Sequence, residues 1–293
     1  MRIGVSLRSS YAVTDRREGA RWMIERARAA REAELDSLFV GDHHATPFPY
    51  YQNVPMLGRL LAEWGDAPCG ALFLLPLWNP VLVAEQIGTL ASIASGRFIM
   101  QCALGAGRTQ FETMGTTLRE RVPRFESALD TIRILLAGGD VDGARIAPIT
   151  PEPLEVWIGA AATRAVDRAA RLGDAWLAGP EATPDEAREL ARLYLDRCDV
   201  HGRTPTAVAI RRDVHVAPTD DEAHRVAGPI LEKGYRGFDP SATIVGGPET
   251  VAERFAELES MGYTDVIVRH LADDQTAVLT SFEVLGEIRS GLA

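Results

Sequence analysis

Three cysteines, Cys69, Cys102 and Cys198, stand far apart in the chain with no CxxC pair among them. That usage excludes a disulfide framework and a structural zinc site, and it points to a reducing cytoplasm. No apolar run approaches the roughly 20 residues needed to cross a bilayer. The N-terminal "MRIGVSL" enters a strand-like run at once, which is not the build of a signal peptide. A basic stripe is also missing. The formal net charge is -10, so the chain is a poor partner for nucleic acid or an anionic membrane, both of which carry negative charge. No internal repeat, low-complexity tract or linker interrupts the sequence, and residues 1–293 read as one domain. With 293 residues, 46% of them hydrophobic, there is enough chain for a large core, and α/β barrels reach this size as single domains.

Several catalytic signatures are absent too. "GVSLRSSYAV", after the first strand-like run, has no GxGxxG, which argues against a doubly wound dinucleotide-binding sheet. There is no GxSxG, and neither Cys69 nor Cys102 has a histidine near it in sequence, so a covalent nucleophile lacks support. A metal-dependent barrel hydrolase would want His-x-His on the first strand, and "RIGVSLRSS" offers none. No metal ligands are assigned.

What is present is alternation. Strand-like runs at "RIGVSL", "SLFVG", "CGALFLLPL", "RFIMQCAL", "LEVWIG", "DAWLAG", "TAVAIRRDVHVAP" and "TDVIVRHL" are separated by helix-like stretches with apolar residues at three- and four-residue spacing. The stretch from Asp15 to Glu34 is one such helix. Another begins at Thr183, with Pro184 in its first turn and Glu186 completing a capping box. Eight β/α units in 293 residues predict a (β/α)₈ TIM barrel. Residues 104–118, 138–152 and 234–247 read as irregular.

In a barrel the active site lies at the C-terminal ends of the strands. "GDHH" falls there, with Asp42, His43 and His44 directly after the second strand. A histidine so placed can move protons near neutral pH, and Asp42 could hold its ring. The bland alternative is that one histidine packs and the other caps a loop. The loop Pro47–Asn53 carries Phe48, Tyr50 and Tyr51, which could wall a pocket for a flat ligand or simply pack on the rim. Gly159, Ala160 and Thr163 end a strand and start a helix. Small residues and free N–H groups there suit phosphate, although close helix–strand packing would explain them equally. Gly105 and Arg108, in "LGAGR", could bring backbone and a cation to the same anion, or form a plain turn. Arg269 and His270 end the last strand and are further contributors to the mouth. His201, His215 and His224 receive no role.

The blocks "SLFVGDHH", "LLPLWNPVLVAEQIGTLASIASGRF", "WIGAAATRAVDRAARLGDAWLAG" and "VGGPETVAERFAELESMGYTDVIV" resemble the bacterial luciferase-like superfamily of flavin- and deazaflavin-dependent oxidoreductases. The resemblance implies a luciferase-like barrel with FMN or coenzyme F420 at its mouth. The expected activity is that of a monooxygenase or a hydride-transfer enzyme acting on a small organic substrate. It implies a homodimer and a separate reductase that supplies reduced cofactor. His43 matches the catalytic histidine, with Asp42 as the acid that orients it. Ala71 and Leu72 match a bulge with a non-prolyl cis peptide behind the cofactor ring. Gly159, Ala160 and Thr163 match the phosphate junction, with Gly105 and Arg108 as helpers, and His44, Tyr50 and Trp78 are expected in the substrate pocket. Asp42 departs from the Glu of flavin luciferases, while the second histidine departs from the deazaflavin pattern. Ala103 and Leu104 replace a reactive Cys and a phosphate-binding Arg. The competing readings are a non-catalytic flavin-binding barrel and the metal-dependent hydrolase.

Overall fold

The computed structural model describes residues 1–147 and 149–292. Among these, nine strands form one all-parallel sheet: β1 (Arg2–Leu7), β2 (Ser37–Val40), β3 (Cys69–Leu74), β4 (Phe98–Ala103), β5 (Glu155–Gly159), β6 (Ala175–Ala178), β7 (Ala207–Val216), β8 (Ile244–Gly246) and β9 (Asp265–His270). Eight of them close into a barrel. β1 to β6 are neighbours in order, β6 pairs with β7, β7 with β9, and β9 with β1. These are the eight strands expected from the alternation. β8 is an additional three-residue strand on the flank of β7, where Val214 pairs with both Ile244 and His270.

The helices are α1 (Arg16–Glu32), α2 (Asn53–Trp64), α3 (Pro80–Ile93), α4 (Arg108–Thr113), α5 (Arg121–Leu136), α6 (Thr163–Leu172), α7 (Pro184–Val200), α8 (Asp220–Glu232), α9 (Pro248–Ser260) and α10 (Gln275–Leu292). Local chemistry sets their starts. The Asp15 carboxylate accepts from the Arg17 N–H at 2.9 Å at the head of α1. Asn79 caps α3 ahead of Pro80, and Thr183 with Glu186 forms the full capping box of α7. Two helices and β8 lie outside the sequence expectation. α8 contains Pro229, which reads as a breaker. α4 has six residues inside a stretch read as irregular. The 138–152 stretch contains one isolated bridge, Val141 with Ala144, and Pro148 within it lies outside the described residues.

Side chains alternate between the barrel interior and the helix layer. Phe39, Ile99, Trp157, Ala207, Ala209 and Ile267 pack in the interior. Phe39 and Trp157 meet across it at 5.4 Å between ring centroids, although β2 and β5 are not neighbours. The N-terminal end of the barrel is closed by ion pairs, Arg2 with Asp265 at 2.7 Å and Arg97 with Glu155 at 2.6 Å. At the C-terminal ends the same inward-facing rows turn polar. On β7 the sequence Ala207, Ala209, Arg211, Asp213 takes every second residue, and on β9 Asp265, Ile267, Arg269 does the same. With the barrel plugged by apolar side chains at mid-height and its N-terminal charges paired to one another, the open space lies at the C-terminal end.

Candidate active site

The C-terminal mouth holds a cavity of about 480 Å³. Its floor is Leu72, Leu177 and Ile267, and its wall includes His43, Tyr50 and Gln101. His43 is half-buried. Its ring lies between Phe48, nearly parallel with centroids 6.1 Å apart, and Tyr50, edge-on at 5.8 Å. Gly41 leaves room for this arrangement, because a side chain there would put its first carbon 2.8 Å from the Tyr50 hydroxyl. Burial raises the Tyr50 phenol above its ordinary value, so the group stays protonated through neutral pH.

The adjacent histidine points elsewhere. His44 is not part of the cavity wall; its ring packs edge-on against Trp78 at 5.1 Å, and its backbone N–H donates to the Gln110 Oε1 at 2.8 Å. Asp42 belongs with this second group. Its buried Oδ2 accepts from the Leu74 N–H at 2.8 Å and from the Trp78 indole N–H at 2.7 Å. Its Oδ1 lies 3.1 Å from His44 Nε2, off the line a hydrogen bond needs, and neither atom has a hydrogen-bond partner among the described residues. The expectation that Asp42 orients His43 is therefore corrected: its carboxylate holds the start of the turn after β3 and faces His44. The pocket assignments of His44 and Trp78 are corrected in the same way, since both sit behind Asp42, while Tyr50 does reach the cavity.

Ala71 and Leu72 divide by parity. Leu72 lines the cavity, and Ala71 is fully buried in the barrel–helix layer. The expected bulge is absent, because β3 pairs without interruption from Cys69↔Phe98 to Leu74↔Ala103. The Asn53 amide donates to the Leu72 carbonyl at 2.7 Å and ties the aromatic loop to that strand.

Gly159, Ala160 and Thr163 lie at the end of β5 and the start of α6. They are not in the cavity wall, but β5 runs between β4 and β6, whose Gln101 and Leu177 are. Ala162 caps α6 without a side-chain hydrogen bond, and Thr163 is exposed. The helix thus presents an uncapped, outward N-terminus, which favours an anion. Gly105 adopts φ +72°, a left-handed turn that glycine takes without strain, and it packs near Leu74 and Phe111. Arg108 does not join the site. Its side chain is 83% exposed and its ion-pair neighbour is Glu112, one helical turn on at 4.0 Å.

Arg269 lines the cavity, whereas His270 faces outward, 2.9 Å from the Ser281 hydroxyl and edge-on to Phe282. Burial, ahead of nearby cations, holds His270 well below the ordinary histidine range. Sequence reasoning missed Arg8, Gln101, Arg211, Asp213, Tyr235 and Arg236. Asp213 is fully buried and accepts from Arg211 at 2.8 and 3.0 Å, from the Tyr235 hydroxyl at 2.7 Å and from Arg236 at 3.1 Å. Burial works to raise its carboxyl, but Arg211 first among its partners brings it below the ordinary value. The signal was present in "AIRRDV": residues two apart in a strand share a face, and Arg211 and Asp213 share that of Ala207 and Ala209, which pack in the barrel interior. Among the described residues, no group of three His, Cys, Asp or Glu side chains is placed to hold a metal ion, and no helix is long and apolar enough to cross a membrane.

The fold defines a parallel barrel with a polar-walled cavity at its C-terminal mouth. The chain belongs to the luciferase-like monooxygenase family, a family of flavin-type oxidoreductases, whose model matches residues 1–243. It is 26% identical to an F420-dependent glucose-6-phosphate dehydrogenase of Kribbella flavida, over 95% of this chain and 96% of that one. A monooxygenase of Streptomyces bottropensis shares the fold with a TM-score of 0.87 at 17% identity, each chain covered to 100%. The oxygenating component of a 3,6-diketocamphane monooxygenase from Pseudomonas putida, solved with FMN, superposes with a TM-score of 0.80 at 18% identity, covering 98% of this chain and 97% of that one.

Proposed function

We propose that this chain works at its barrel mouth with a flavin-type cofactor, FMN or F420, on a small organic substrate, and that His43 is its proton-transfer residue. One observation carries the reading: the cavity walled by His43 adjoins the strand whose end opens into the uncapped start of α6. The residues suit such a cofactor. The Leu72, Leu177 and Ile267 floor is apolar, as a flat ring requires, and the buried Gln101 amide has an Nε2 donor with no partner among the described residues. The α6 start and Thr163 suit a phosphate.

The cofactor, when bound, supplies the redox chemistry. The chain supplies the rest. Phe48 and Tyr50 hold the His43 ring at the cavity edge and limit water there, and a ring nitrogen of His43 takes or gives a proton. Asp42 acts on the shape of the mouth, through Leu74 and Trp78, and not on the His43 ring. The reading extends to one barrel domain over residues 1–293, in a cytoplasmic homodimer served by a separate reductase. Family membership and three buried free cysteines support these finer points. The test is a fluorescence titration with FMN and with F420, each oxidised and reduced. Saturable binding of at least one is expected, and no binding of either at high micromolar concentration would sink the reading.

A further inference from the structure

Four arginines converge on the cavity. Arg8 follows β1, Arg211 is on β7, Arg269 is on β9, and Arg236 lies in the loop between α8 and β8. This concentration of cation runs against a chain of net charge -10. Three of the four are matched. Arg211 and Arg236 share Asp213, and Arg8 pairs with Asp273 at 2.8 Å. Arg269 has no ion-pair partner among the described residues, and its Nε is buried without a hydrogen-bond partner. Burial first, then Arg211, with Arg8 and Arg236 adding and Asp213 opposing, bring its guanidinium down to about 10. It remains a cation at neutral pH, with Asp213 favouring its charge and three arginines opposing it, while the Asp42 carboxylate on the same cavity is taken up by Leu74 and Trp78.

Two more donors share this state. Arg8 Nε and Gln101 Nε2 are buried without partners among the described residues, and Gln101 is only 4% exposed. All three residues line the cavity: Arg8 and Arg269 stand side by side at the ends of β1 and β9, and Gln101 on β4 lies across the mouth from them. Buried N–H groups without acceptors are rare and costly. Beside the unmatched guanidinium, they leave the mouth rich in donors and short of acceptors. A guanidinium fork matches a carboxylate, phosphate or sulfonate best.

We propose that the β1–β9–β7 side of the mouth is an oxyanion subsite for the substrate, seated on Arg269 and completed by Arg8. The assignment to substrate rests on the cofactor reading above. The cofactor's own phosphate has a separate place in that reading, at the end of β5, which stands four strands from β1 in the ring of eight.

The test uses the purified chain and three probes, inorganic sulfate, benzoate and the neutral benzamide, followed by calorimetry. Sulfate or benzoate should bind and benzamide should not. Losing a hydrogen-bonded charge should weaken anion binding in Arg269→Gln by roughly tenfold or more. Arg269→Lys, which keeps the charge and loses the fork, should fall between the two. The surface change Arg188→Gln on α7 should leave anion binding unaltered. Arg269→Gln should also leave FMN and F420 titrations unaltered. Anion binding that is equal in wild type and Arg269→Gln overturns the proposal. A loss of cofactor affinity in Arg269→Gln as large as the loss of anion affinity overturns it too, because the anion would then be the cofactor's. If the wild type binds cofactor but no anion, the subsite fails and the cofactor reading stands. If it binds anion through Arg269 but no cofactor, the subsite stands and the cofactor reading fails.

Discussion

His43 and His44 are consecutive and chemically identical, yet the fold gives them different surroundings. Neighbouring residues at a strand end face opposite ways. His43 therefore meets the cavity, and His44 meets Trp78 and Asp42. General acid–base catalysis is typically worth about 10²–10⁴-fold. His43→Ala is expected to lower turnover by that order while cofactor binding persists, and His44→Ala to act mainly on stability. Turnover of both variants, each checked for bound cofactor, decides the matter; a larger loss in His44→Ala would show the wrong histidine had been chosen. His270 gives a separate prediction at this scale. It is held neutral by burial, with its value depressed in the folded chain. As pH falls through about 6.5, the unfolded chain takes up a proton that the native one refuses, so stability declines by at most about 1.4 kcal/mol per pH unit. Above that pH the group contributes no slope. Denaturant midpoints between pH 7 and 5 should fall less steeply in His270→Gln than in wild type; parallel curves would show that His270 does not drive the acid limb.

At the scale of elements, the junction of β5 and α6 carries the sharpest expectation. Thr163→Glu would set a carboxylate against the place assigned to phosphate. In the cofactor-free chain an added acid at a helix start is neutral or stabilising, by about 0.3–1 kcal/mol. Cofactor affinity should drop while the thermal midpoint holds or rises. Unchanged affinity would move the phosphate away from α6. The elements were legible where a sequence signal had one meaning. Thr183, Pro184 and Glu186 announced α7, and the capping box is there. α8 was illegible because Pro229 inside it argues against a helix, although Thr219 caps its start. Arg108 misled for a related reason. A glycine-rich turn ending in arginine resembles an anion cradle, but α4 begins at that residue and turns the side chain to solvent.

For the whole molecule, the order of strands was readable because each barrel strand is a short apolar run followed by a helix, and closure follows from eight such units. Side-chain destinations beyond parity were not readable. Asp42 finds Trp78, 36 positions on, and Asp213 finds Tyr235, 22 positions on, through a loop that reads as irregular. Such pairings depend on loop paths that no local pattern encodes. The arginines of the mouth come from four separate segments for the same reason. A cofactor at the mouth would join His43, the cavity floor and the start of α6 into one site. The most direct test is a crystal structure of this chain grown with whichever of FMN or F420 it binds. The account predicts the ring in the cavity beside His43, over Leu72 and Leu177, with phosphate oxygens within about 3 Å of the N–H groups or hydroxyl at Thr163. A cofactor bound outside the barrel mouth, or one whose phosphate sits on Arg269 instead, would contradict it.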